Sequence, residues 1–171
     1  MGKSRYKFID QSYPYFITCS TVKGISLFAY QEISKIIIES IKYLQEKDKV
    51  VVYAYVVMHN HIHMIFESEH PADKMRKFKS YTARCIIDHL KEQNRRYFLS
   101  ELKAFKHSMH KDSEYQVWQA GVHPKQISNA RMMRQKIEYV HYNPVKAGFV
   151  ELPQHWKYSS AQNYLGEDEV A

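Results

Sequence analysis

Between residues 50 and 67 the chain carries two apolar, β-branched runs joined by only three residues, Met58-His59-Asn60. No other feature restricts the fold as much. Runs of this length and composition read as strands, and so brief a link makes either a hairpin or one strand continuing through a bulge. Upstream, Ile33, Ile36, Ile37, Ile41 and Leu44 recur at helical spacing and predict an amphipathic helix over residues 31–46. Residues 13–22 are β-branched and aromatic up to Lys23-Gly24 and predict a first strand. Downstream, Pro71 suits a first helical turn, and Met75, Phe78, Cys85, Ile86 and Leu90 carry an apolar stripe to about residue 93. Residues 94–113 are charged and aperiodic and read as loop with room for a short helix. Residues 115–122 predict a fourth strand. Residues 128–142 predict a last helix, capped by Ser128 or Asn129 and ended before Pro144. The order β-α-β-β-α, then β-α, is that of an α+β domain with helices packed on a mainly antiparallel sheet.

At 171 residues, without repeats or low-complexity linkers, the chain is expected to be one domain, with a core over about 10–150 and a C-terminal tail over 151–171. Cys19 and Cys85 stand alone in apolar segments with no metal or disulfide spacing, which suits a reducing, cytoplasmic compartment. No run is long and apolar enough to span a membrane, so no membrane partner is expected. Twenty-five Lys and Arg against 18 Asp and Glu give a net charge of +7, which favours a polyanionic partner, most often nucleic acid. The 14 tyrosines and 8 phenylalanines supply either core or surfaces on which bases stack. Trp118, Tyr142 and Trp156 are candidates for such stacking, with core packing the simpler role for the two tryptophans.

Two motifs could carry chemistry. In His61-Ile62-His63, strand alternation points both imidazoles to one side and Ile62 to the other. Two solvent-facing histidines would read the same way, but in so apolar a strand a polar pair marks an exposed or functional face, and two adjacent imidazoles are a bidentate metal site. In Tyr139-Val140-His141-Tyr142-Asn143-Pro144, Tyr139 and Asn143 are four apart and share a helix face. Asn143 offers an amide oxygen and Tyr139 a phenol, although a packed tyrosine and an Asn-Pro helix stop describe these residues equally well.

The ordered set "NHIH", "YVHYNPVKAGFV" and "WKYSSAQNYL", with "YFITCSTVKGISLF" and "VWQAGVHPKQI" at the expected strands, resembles the HUH single-tyrosine transposases, and within them the REP-associated tyrosine transposases. His59 departs from the proline common in that family. The resemblance implies a ferredoxin-like α+β core, His61 and His63 as divalent-metal ligands with Asn143 at or near the metal, and Tyr139 as nucleophile. It also implies single-stranded DNA beside a REP-like hairpin as partner and a nucleoid-associated place in the cytoplasm. Phosphate chemistry and the resemblance together point to Mg²⁺ or Mn²⁺. Tyr139 needs activation by the metal, a base or Lys146. Lys74, Lys77 and Arg84, with Arg76 and Lys79, are expected to track phosphates. Arg131 and Arg134, with Lys136, lie on the tyrosine helix, and Lys146 is a further phosphate contact. Monomer and homodimer both remain open. The competing expectations are a domesticated single-strand DNA-binding protein and a metal-dependent RNA-processing nuclease.

Overall fold

The computed structural model describes residues 8–10, 12–106 and 113–165. Strand β1 (Tyr15–Ser20) leads through a 3-10 turn to helix α1 (Gln31–Glu46), then to strands β2 (Val51–Val57) and β3 (His61–Glu67), which form the hairpin expected from the sequence. Helices α2 (Pro71–Glu92) and α3 (Arg96–Ala104) follow, then the short strand β4 (Lys125–Gln126) and helix α4 (Ala130–Lys146). All strand pairs are antiparallel, in the order β2-β3-β1-β4. With its β-α-β-β-α-β connectivity this is a ferredoxin-like sheet, to which α4 is added.

Strand alternation divides the core in two. Tyr15, Ile17 and Cys19 of β1 and Ile62, Met64 and Phe66 of β3 pack with Ile33, Ile37, Ile41, Met75, Phe78 and Ile86 of α1 and α2 on one face. Phe16, Ala54, Val56 and Ile65 face the other way and are covered by Val140, Ile137, Met132 and Met133 of α4. Both faces of the sheet are therefore covered, and His61 and His63, alternating with Ile62, lie on the α4 side.

Three expectations need correction. Residues 115–122 are not a regular strand. Their only ladder contacts to β1 are a Thr21–Trp118 bridge and flanking backbone bonds, Val22 N to Val117 O (2.8 Å) and Gln119 N to Ser20 O (2.8 Å). Regular pairing resumes at Tyr15–Gln126, after two residues more than β1 supplies over the same span. The surplus bulges out around Gly121, whose φ is +77°, and the Lys79 ammonium holds the bulge by donating to Gln119 O (2.8 Å) and Gly121 O (2.7 Å). Lys79 is thus engaged within the fold rather than on a phosphate-tracking face.

The second correction falls between α2 and α3. Asn94 takes a left-handed φ of +50°. Asn94 N then donates to Lys91 O (3.0 Å) and Arg95 N to Leu90 O (2.8 Å), which closes a Schellman cap and lets α3 start at once. The stretch expected as loop with room for a short helix is thus mostly helix, over Arg96–Ala104, and its later part, residues 107–112, lies outside the described residues.

The third correction concerns the last helix, which runs through Pro144 rather than ending before it. Asn129 accepts from Met132 N (2.9 Å) as its N-cap. Its true stop is Gly148, at φ +74°, where Gly148 N donates to Val145 O (2.9 Å) and Phe149 N to Pro144 O (2.9 Å). The extra turn carries Asn143 and Lys146.

Candidate active site

On the α4 side of the sheet, β3 presents the His61 and His63 rings with centroids 4.8 Å apart. His63 is 5% exposed, with Phe16 stacked on it at 5.4 Å and the Tyr139 ring set edgewise at 5.4 Å. Phe16 and Tyr139 meet each other at 5.7 Å. The antiparallel register places Thr18 opposite His63, and its hydroxyl lies 2.8 Å from His63 Nδ1. His61 Nδ1 lies 2.7 Å from Asn60 Oδ1, while Asn60 Nδ2 donates to Gly24 O at 3.2 Å. That second bond fixes the Asn60 amide so that its oxygen faces His61. His61 must then carry its proton on Nδ1 and leave the Nε2 lone pair free.

Burial, with smaller contributions from His61 and Lys136, pushes the His63 pKa down to about 3, against an opposing pull from the Ile17 backbone and the Asn143 side chain. Burial lowers His61 too. Both rings are therefore neutral at neutral pH and able to donate a lone pair. Asn143 Nδ2 donates to Tyr139 O at 3.0 Å, and the Asn143 side chain is close enough to His63 to raise its pKa. Two imidazoles and one amide oxygen are a donor set that fits a divalent ion retaining several waters. Among the described residues no three His, Cys, Asp or Glu side chains cluster to hold one.

Tyr139 is 39% exposed, and Tyr142, one turn on, is 44% exposed. The two open onto a groove of about 370 Å³ that Gln135, Glu138 and Lys146 complete. The ammonium groups of Lys136 and Lys146 each lie 5.3 Å from the Tyr139 ring centre. The sequence had marked Lys146 and had set Lys136 on the tyrosine helix near the expected cleavage point, but it missed Phe16, Thr18 and Asn60. Alternation along β1 was the available signal for Phe16 and Thr18, but only strand register sets them against His63.

The remaining basic candidates separate. Arg131 and Arg134 are exposed on the first turns of α4. Lys74, Lys77 and Arg84 sit on α2, across the sheet from the histidines. There Lys74 pairs with Asp48 (3.1 Å), Lys77 with Asp73 (2.9 Å), and the Arg84 guanidinium lies over the Tyr81 ring. A larger cavity of about 600 Å³ between α1 and α2, lined in part by Lys77, Tyr81 and Cys85, is on that same far side. Trp118 is core, its indole donating to Thr82 Oγ1 at 3.0 Å.

The tail motif packs onto β2. Trp156 Nε1 donates to Val57 O (3.0 Å), Ser159 bridges to Val56, and Ser160 Oγ lies 2.9 Å from His141 Nε2. His59 stacks on Phe149 at 4.2 Å and Phe149 on Trp156 at 5.4 Å. The histidine in place of proline thus joins the hairpin turn to the end of α4.

A ferredoxin-like antiparallel sheet with paired histidines on a central strand and a tyrosine helix across them is the architecture expected of the single-tyrosine HUH class. The chain belongs to the family described as transposase IS200-like, which matches residues 13–143. It is 30% identical over 107 residues to a Haemophilus influenzae protein described as a REP-associated tyrosine transposase; the match covers 63% of this chain and 56% of that relative, so the chain spans little more than half of it. The fold is similar to the solved structure of a REP-associated tyrosine transposase bound to a REP hairpin, with a TM-score of 0.68 at 19% identity over 95% of this chain and 84% of that one. The branch named from the motifs is the branch of both relatives.

Proposed function

We propose that this chain nicks and rejoins single-stranded DNA next to REP-like hairpins in a transposition-type reaction, through a 5′-phosphotyrosine on Tyr139. The observation that supports it most is the apposition of the Tyr139 phenol and the buried His63 imidazole, 5.4 Å apart between ring centres and 76 positions apart in sequence. His61, His63 and Asn143 would hold a Mg²⁺ or Mn²⁺ ion, which when bound supplies Lewis-acid polarisation of a phosphate oxygen. The chain's own groups do the rest. The phenolic oxygen bonds to phosphorus as the P–O3′ bond breaks, the phenolic proton passes to solvent, and the departing O3′ takes one from solvent. Attack by a second 3′-hydroxyl reverses these changes and joins strands without an external energy source, because the bond is kept as a phosphotyrosine. The groove beside Tyr139 is the way in for the strand. Lys146, Arg131 and Arg134 lie along the same helix and serve flanking phosphates, while Lys74, Lys77 and Arg84 could serve only DNA that wraps to the far face of the sheet. A nucleoid-associated location follows from the substrate.

The test is incubation of labelled single-stranded hairpin DNA with Mn²⁺, followed by denaturing electrophoresis. A protein-linked product lost in Tyr139→Phe and kept in Tyr142→Phe is expected. Cleavage without any protein-linked product would mean that water attacks, and binding without cleavage would make the chain a DNA-binding protein.

A further inference from the structure

Lys136 precedes Tyr139 by three residues and shares its helix face. Its ammonium lies 4.7 Å from the centre of the Phe16 ring and 5.3 Å from that of Tyr139, the two rings that cover His63. Its charge is felt at His63, whose pKa it helps to lower. Lys136 is only half-exposed, and burial together with Lys125 disfavours its own charged form. Other partly buried cations have oxygen partners, Lys74 in Asp48 (3.1 Å) and Lys79 in Gln119 O and Gly121 O (2.8 and 2.7 Å). Among the described residues no carboxylate pairs with Lys136. A partly desolvated cation without a counter-ion, held beside a phenol and within electrostatic reach of the neutral His63 imidazole, is a place prepared for an anion. Lys146 approaches the same ring from the exposed end of the helix and belongs to the rim.

We infer that Lys136 is a further catalytic residue, whose ammonium binds a non-bridging oxygen of the scissile phosphate beside Tyr139 and offsets the charge that builds there during displacement. The inference rests on the reaction proposed above. Lys136 stays protonated throughout and acts as a fixed charge, aimed by the Phe16 and Tyr139 rings that its ammonium faces. The contact exists only when the phosphate is at the phenol, so it bears on the cleavage step more than on holding the strand.

Single-turnover cleavage of a labelled single-stranded hairpin oligonucleotide at saturating protein, with strand affinity measured separately, tests this. Lys136→Met is expected to slow cleavage about 100-fold, in the range for removal of one preorganised donor, with affinity changed less than about threefold. Lys136→Cys in a Cys85→Ser background, treated with bromoethylamine to rebuild an ammonium at the same reach, is expected to recover most of the lost rate. Lys42→Met, an equal loss of charge on the far helix α1, should cleave as wild type does. The inference is overturned if Lys136→Met cleaves within about threefold of wild type, if its loss lies wholly in affinity, or if aminoethylation restores nothing to a folded protein. If the wild-type chain forms no tyrosine-linked product, the underlying reaction falls and this role falls with it. Normal wild-type cleavage with an unaffected Lys136→Met removes only Lys136.

Discussion

His63 shows how much one position is asked to do. Its ring is nearly closed off by Phe16 and Tyr139, anchored at Nδ1 by Thr18, and kept neutral by burial with a pKa near 3. Neutrality is what a metal ligand needs, and it has a consequence for stability. In the unfolded chain the same imidazole titrates near about 6.5, so between that pH and about 3 the unfolded state binds the proton that the folded state refuses. The metal-free protein should therefore keep its stability above about pH 6.5 and lose it as pH falls, by up to about 1.4 kcal/mol per pH unit from this group, with His61 and His141 adding in the same direction. Chemical denaturation at a series of pH values checks this, and the slope should be shallower in His63→Gln. His61→Ala and His63→Ala should abolish cleavage yet leave strand affinity nearly unchanged, because the proposed reaction has both rings act at the scissile phosphate alone. Metal-independent cleavage by either variant at the wild-type rate would contradict the ligand assignment. Tyr139→Phe should fold with a stability within about 0.5 kcal/mol of wild type, since the phenol edge is exposed.

Among the elements, the hairpin and the helices α1 and α2 were legible because period and length agree there. The alternation His61-Ile62-His63 gave the correct face of β3 without any knowledge of pairing. What was not legible depends on backbone conformation or on distant partners. Pro144 looked like the end of α4, but its missing N–H removes a single bond in the last turns, and the stop is the left-handed Gly148. Residues 115–122 looked like a strand, but the two-residue surplus around Gly121 can be seen only against β1, and Lys79 holds it from 40 residues away. Asn94 was the readable sign of a helix end at α2, yet the short α3 behind it has too few turns to show a period. The Gly148 cap also gives a prediction. A Cβ there meets no heavy atom within 4 Å, so Gly148→Ala should cost only the left-handed backbone penalty of roughly 1–2 kcal/mol. A thermal melt measures it. Because the cap delivers Phe149 to His59 and Trp156, Phe149→Ala should slow cleavage by loosening α4, with Tyr139 and Asn143, against a hairpin that keeps His61 and His63 in place.

At the scale of the whole molecule, the sheet separates two environments. The α1–α2 face carries Lys74 and Lys77 already paired with carboxylates, and the α4 face carries the phenol, the imidazoles and, beside the Tyr139 ring, Lys136 and Lys146. Strand affinity should therefore fall with salt at a log–log slope of about −0.7 for each phosphate held, and Arg131→Met or Arg134→Met should each flatten that slope by about 0.7, whereas Lys74→Met should not. Among the described residues no helix is long and apolar enough to cross a membrane. The central claim is that the bond to DNA forms at one named oxygen. Trypsin digestion of the nuclease-trimmed reaction product releases residues 137–146, which hold both Tyr139 and Tyr142, and fragmentation of that peptide by mass spectrometry locates the nucleotide. The account predicts the phosphodiester on Tyr139. A nucleotide on Tyr142, or a cut strand with a free 5′-phosphate and an unmodified peptide, would contradict it.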